Sequence, residues 1–198
     1  MDSSAKPFSE SGCGRIMIAS SPLKNKNISK SISDMESKHK PLKRSEQLKS
    51  LSREHHAGLL FSWKIKQGIG IGVSVERLKN YVNYFMNGHL IAHFEKEERL
   101  LFGLVDAPVC LQAKKEHAVL MDHMQKINHS PLINPNIFIE LIDMLNNHIR
   151  FEERVVFPTL EKLLDEQTLS SIHDELEMDD HKFKDEYPDE FWVKPKSI

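Results

Sequence analysis

The chain has 198 residues, 39% of them hydrophobic and 28% charged, with a formal net charge of −2. This is the composition of a soluble globular protein with length for one domain and some to spare, and it offers nucleic acid no electrostatic attraction. No stretch approaches the roughly 18 apolar residues of a membrane span. The 2 cysteines, Cys13 and Cys110, make no disulfide framework, so a reducing, cytoplasmic compartment is expected.

Residues 1–43 are rich in Ser and Lys and lack a periodic apolar pattern. They are expected to form a disordered polar tail. They hold no long apolar run, so no secretory signal is expected either. From Ser45 onward apolar residues recur at helical spacing. A first helix is predicted to start between Ser45 and Ser52 and to run to about Lys66, where Gly68, Gly70 and Gly72 break it.

A second helix is predicted from about Ser74 to Leu104, and a turn follows at Asp106 and Pro108. A third runs from Pro108, a residue suited to a first turn, to about Asn128. Ser130-Pro131 and Asn134-Pro135 bound a loop. The fourth helix starts near Pro135 and continues past Glu153, and Pro158 should kink or end it. A short last helix is predicted over about Thr168 to Glu177. The tail 179–198 is polar apart from Phe191-Trp192-Val193, which is expected to fold back.

No segment reads as a hairpin strand. The expected fold is all-α: an antiparallel up-down-up-down four-helix bundle over 44–178. In that topology the second and fourth helices run parallel.

One string occurs twice on those two helices: His93-Phe94-Glu95-Lys96-Glu97-Glu98-Arg99 and His148-Ile149-Arg150-Phe151-Glu152-Glu153-Arg154. Residues four apart share a helix face. Each copy therefore sets an imidazole and a carboxylate on one face. His-x-x-x-Glu alone is weak, because chance supplies it and its ordinary meaning is a helix-face hydrogen bond. His173 and Glu177 repeat the spacing in a polar segment where no ligand is expected.

The first two copies differ in their surroundings. Leu90, Leu100 and Leu101 flank His93 and Glu97. Met144, Leu145, Val155 and Val156 flank His148 and Glu152. A carboxylate in such a stripe is costly unless something pairs it. Arg99 and Arg154 are the ordinary candidates, but each lies two residues beyond its glutamate and points elsewhere. A metal ion is the better partner.

The other two helices supply further candidates. His55 shares a column with Leu48, Leu51 and Leu59, while adjacent His56 shares its surface with Lys49 and Arg53. His55 is favoured and His56 is the alternative. His117 lies in line with Cys110, Ala113, Leu120 and Met124. His123 and His129 have polar neighbours. His89, one turn before His93, reads as a partly exposed histidine, with support of the site from behind the ligands as the alternative. The candidate ligands are thus His55, His93, Glu97, His117, His148 and Glu152. Four imidazoles and two carboxylates exceed what one tetrahedral zinc needs. The mixed set suits iron or manganese, with carboxylates free to bridge two ions.

These residues, with Leu51-Ser52-Arg53-Glu54-His55-His56 and Glu116-His117, resemble the hemerythrin-like family, the HHE cation-binding domain. The resemblance covers about Leu42 to Leu176. It implies a four-helix bundle around two iron ions, with the six candidates as ligands. It also implies oxygen carriage or sensing, peroxide or nitric oxide handling, or iron sensing or storage. Oxygen-carrying members have a histidine where this chain has Met121, and an aspartate where it has Glu153. The chain therefore looks closer to the carboxylate-rich branch, which argues against reversible oxygen carriage. The function expected is a non-haem di-iron protein that senses or reacts with oxygen, peroxide or nitric oxide. The alternative is an iron-responsive or iron-storing module without turnover.

Overall fold

Five helices and no strand make up the regular structure of the described residues, which are 45–130, 134–178 and 183–193 of a computed structural model. All belong to one unit, Leu42–Ile198. The expected disordered tail lies outside the described residues. Helix α1 is Lys49–Gly70, entered through a 3₁₀ turn at Glu46–Leu48. Helix α2 comprises Val75–Phe85, a wide π-helical turn Met86–Leu90, and Ile91–Leu100. Helix α3 is Pro108–His129, with the proline in its first turn. Helix α4 comprises Asn136–Phe151, a second π-helical turn Glu152–Val156, and Phe157–Leu163. Helix α5 is Glu166–Met178.

Two boundaries differ from expectation, and at Pro158 one of two expected outcomes is excluded. Helix α1 does not stop at Lys66. Gly68 stays helical, and a residue without a Cβ is needed there for packing. A Cβ on Gly68 would lie 2.7 Å from the Phe191 ring and 2.9 Å from Leu78. Only Gly72, at φ 73°, takes the left-handed conformation that turns the chain. Pro158 does not end α4. The π-helical turn lies directly before Phe157-Pro158, and the helix continues to Leu163. A widened turn relaxes the clash a proline ring makes with the preceding turn. Helix α5 starts before Thr168 because Asp165 caps it, its Oδ1 accepting the Thr168 N–H at 2.8 Å.

Helices α1 and α4 pack together, as do α4 with α3 and α3 with α2. Their buried side chains form two apolar clusters rather than one. The first holds Phe61, Tyr81, Phe85, Leu120, Phe138 and Leu145 among others. The second holds Leu48, Leu51, Leu101, Ala113, Phe157 and Leu160, and α5 adds Leu169, Ile172 and Leu176. Where the two clusters meet, each long helix places a buried histidine, and two of them a buried glutamate as well.

Residues 183–193 pack on the first cluster without regular structure. Phe191 is 2% exposed, a burial worth about 1.5–3 kcal/mol for a phenylalanine. Trp192 is half-buried and Val193 exposed. Lys64, buried on α1, meets Asp185 at 2.7 Å and sits 3.7 Å over the Trp192 ring. The Tyr81 hydroxyl donates to the same Asp185 carboxylate. Arg77 forms a two-point pair with Asp189. No described helix is long and apolar enough to cross a membrane.

Candidate metal centre

The polar layer between the two clusters consists of His55 from α1, His93 and Glu97 from α2, His117 from α3, and His148 and Glu152 from α4. All six are 4% exposed or less, and both glutamates are at 0%. The spacing explains the layer. On each helix the same stripe that supplies leucine and phenylalanine above and below presents these residues between them. His55 follows Leu51 by one turn and precedes Phe61. His117 stands between Ala113 and Leu120.

The donor atoms converge in two groups of four. His55, His93, Glu97 and Glu152 place one atom each within 4.8 Å of one another, and so do Glu97, His117, His148 and Glu152. The two carboxylates belong to both groups. His55 Nε2 lies 3.0 Å from Glu152 Oε2, and His148 Nε2 lies 3.2 Å from the same atom. His93 Nε2 and His117 Nε2 lie 3.5 and 3.4 Å from Glu97 Oε2. These atoms crowd together without bonding well. Both Glu97 oxygens, Glu152 Oε2, His55 Nε2 and His148 Nε2 are buried with no hydrogen-bond partner. Orphaned buried polar atoms of this kind are rare in folded proteins and costly. Cations held by the two groups would between them satisfy all five, so the residues fit a metal.

Protons are the other way to relieve the crowding, and the electrostatics show it. Burial pulls the His117 imidazole down, but the Glu152 and Glu97 carboxylates outweigh burial and push it up to about 10. Burial likewise opposes the charged form of His55, yet Glu152, Glu153 and Glu97 raise it well above the usual range. Glu152 is driven the other way. Burial favours its neutral form, and the His117, His148 and His55 imidazoles overcome that to hold it well below the carboxylate range. The layer is therefore a set of facing charges that takes up either protons or cations.

Aromatic rings wall the layer. Phe94 stacks on His117 at 3.8 Å between centroids, and Phe157 stacks on His55 at 5.4 Å. A small cavity of about 10 Å³, room for one water-sized molecule, lies against His55, His89, His93, Gly58 and Phe94. Gly58 faces α4, where a Cβ would come 2.9 Å from Ile149 Cδ1.

Four glutamates escaped sequence reasoning in this role. Each histidine of the layer turns its Nδ1 outward to a carboxylate. His93 Nδ1 lies 2.9 Å from Glu54, His117 Nδ1 2.9 Å from Glu98, His148 Nδ1 3.0 Å from Glu116 and His55 Nδ1 2.8 Å from Glu153. Lys96 also binds Glu54, at 2.7 Å. Burial opposes the Glu54 charge, but its bonds to His93 and Lys96 bring its pKa down to about 2. The available signal was adjacency: Glu54-His55, Glu97-Glu98, Glu116-His117 and Glu152-Glu153 each join an outer acid to a layer residue.

The remaining candidates fall outside the layer. His56 is exposed, as are Arg99 and Arg154. Met121 is partly buried against the first apolar cluster. His89 corrects an expectation: it is 5% exposed, stacked 4.8 Å from Phe183, with Nε2 3.3 Å from the Glu54 carbonyl. Burial, with the neighbouring His93, lowers it to about 4 and keeps it neutral. Helix periodicity did not reveal Phe183, which covers it from a segment 94 positions away in sequence.

An all-helical scaffold with a buried histidine–carboxylate layer defines a class, the helical cation-binding proteins. The family model for the hemerythrin HHE cation binding domain matches residues 46–160, and the chain belongs to that family. Helix α5 and residues 183–193 lie beyond the matched region. No curated protein and no solved structure matches the chain.

Proposed function

We propose that this protein holds two iron ions in the polar layer of an antiparallel up-down-up-down four-helix bundle, and that it senses or reacts with oxygen, peroxide or nitric oxide. The observation that carries the reading is the sharing of Glu97 and Glu152 between two four-donor groups. Carboxylates with two oxygens each are suited to bridging, and mixed imidazole–carboxylate sets suit iron. His55 and His93 would hold one ion and His117 and His148 the other. Bound iron supplies a change of oxidation state and a coordination position for a small oxidant.

The chain's own residues do the rest. The stacked phenylalanines and the two apolar clusters keep bulk water from the layer. The small cavity beside His55 and His93 has room for a ligand of only a few atoms. With Met121 turned to the apolar cluster, the α3 side contributes one imidazole, which favours oxidation over reversible carriage. Two cysteines in the whole chain are compatible with a cytoplasmic protein.

The test is metal analysis of protein purified from iron-supplemented cells, followed by optical spectra of the reduced protein in air and after an argon flush. Iron near two per chain and irreversible oxidation are expected. One tightly held zinc with no iron would overturn the metal assignment. Recovery of the reduced spectrum after the flush would instead show reversible carriage. Consumption of added peroxide or nitric oxide separates reaction from sensing.

A further inference from the structure

The four outer carboxylates have an order. Glu54 on α1 serves His93 on α2. Glu98 on α2 serves His117 on α3. Glu116 on α3 serves His148 on α4. Glu153 on α4 returns to His55 on α1. Every helix gives one acid to the next and receives one from the last, so the chain of bonds closes on itself. No pair lies within a single helix.

We propose that this closed ring positions the metal centre: the four acids act as one unit that presets every imidazole of the layer and ties the four helices at that level. The inference rests on the reading of the layer as a cation site, though not on the identity of the cation. The chemistry is direct. An ionised carboxylate only accepts, so a neutral imidazole facing one carries its proton on Nδ1. Once a cation displaces the inward protons, all four Nε2 lone pairs point at it. Each ring plane is also fixed, because its Nδ1–H is aimed at an acceptor on another helix. Carboxylates behind metal-bound histidines raise ligand basicity and hold orientation in this way.

The ring arises from a simple sequence device. Adjacent residues on a helix diverge by about 100°, so the neighbour of an inward-facing residue points sideways, toward the next helix. Placing an acid beside each layer residue therefore makes the link. The acids sit partly in solvent, at 20%, 40%, 33% and 19% side-chain exposure for Glu54, Glu98, Glu116 and Glu153. They bridge the dry layer to the wet surface.

Zinc tests the ring, being diamagnetic and suited to imidazole. Wild-type protein and the variants Glu54→Ala, Glu98→Ala, Glu116→Ala and Glu153→Ala, with Gln at each position as the isosteric control, are titrated with zinc against a chelator. Imidazole ¹⁵N–¹H correlation spectra of the loaded proteins report the tautomer. Wild type should show protonated Nδ1 at all four layer histidines. Each Ala variant should lose or shift the signal of its own partner and bind zinc roughly 10- to 100-fold more weakly, the usual scale for such outer partners. Gln, which still accepts through its amide oxygen, should restore the Nδ1–H signal and part of the affinity.

Because the ring is one unit, breaking two opposite links, Glu54→Ala with Glu116→Ala, should cost less than the product of the single losses. Independent, multiplicative losses would reject the ring as a unit. Unchanged affinity and unchanged Nδ1–H signals in the single variants would overturn the inference while leaving the cation reading intact. Failure of the wild type to bind any cation would overturn the cation reading, and the ring with it.

Discussion

His-x-x-x-Glu occurs three times on the helices of this protein, and the three copies have different fates. His93 with Glu97 and His148 with Glu152 lie in the dry layer, their carboxylates at 0% exposure. His173 with Glu177 lies on α5, where the histidine is half-buried and the glutamate exposed. The spacing is identical, so spacing is not what makes a site. The buried copies are opposed by imidazoles from α1 and α3, and apolar clusters on both sides keep water from paying the charge. The α5 copy belongs to none of the described four-donor groups. A motif becomes a candidate centre when the fold brings a second copy to face it.

The comparison breaks most sharply at the histidines. His93→Ala and His148→Ala should each lose most of the bound metal, because each removes one of two imidazoles in its half. Glu97→Gln and Glu152→Gln should weaken both halves at once, since each carboxylate is shared. Metal analysis of the purified variants checks this. Retention of a full complement by His93→Ala would mean that the buried copies are structural polar groups only.

How much of this was readable beforehand divides along physical lines. The six converging residues interrupt apolar stripes, and a charged residue in a core stripe needs a partner; that argument requires only helical periodicity. His55 separates from His56 on the same ground, through Leu51 one turn before it. The outer acids were not readable from periodicity. Glu98 and Glu116 look like ordinary solvated helix positions, and their role depends on which helix stands beside them. The same limit hid Gly68, a glycine that makes room for Phe191 rather than a turn. It also hid His89, buried by Phe183. At Pro158 a kink or an end was expected; the helix does not end there, and a rule about regular helices does not foresee the π-helical turn that carries it through.

A second, smaller effect follows from the charges that the α5 copy lacks. His117 is held at about 10, burial opposing its charge and the Glu152 and Glu97 carboxylates overriding burial. In the metal-free protein at neutral pH it is therefore protonated. A cation must displace that proton to reach Nε2. Loading should release protons, and apparent affinity should rise with pH by about tenfold per unit for each proton displaced. Calorimetry in two buffers of different ionisation enthalpy measures the count. Proton uptake on loading, or an affinity flat between mildly acidic and mildly alkaline pH, would contradict the charge balance drawn for the layer.

The smallest expected effect is the most discriminating between spacing and surroundings. His173→Ala and Glu177→Gln change the third copy in the same ways that should disable the first two. Glu177 is exposed, so its charge is already paid for by solvent and its loss removes no buried interaction. The ring of His173 is half-buried beside Ile172 and Leu176, which anchor α5 to the second apolar cluster. A modest loss of stability, within the few kcal/mol of a partly buried truncation, is therefore permitted at that position. Bound metal should stay at the wild-type level in both variants. Thermal melting alongside metal analysis separates the two readouts. A fall in metal content without a fall in melting temperature would put a cation on α5 and show that the spacing alone suffices.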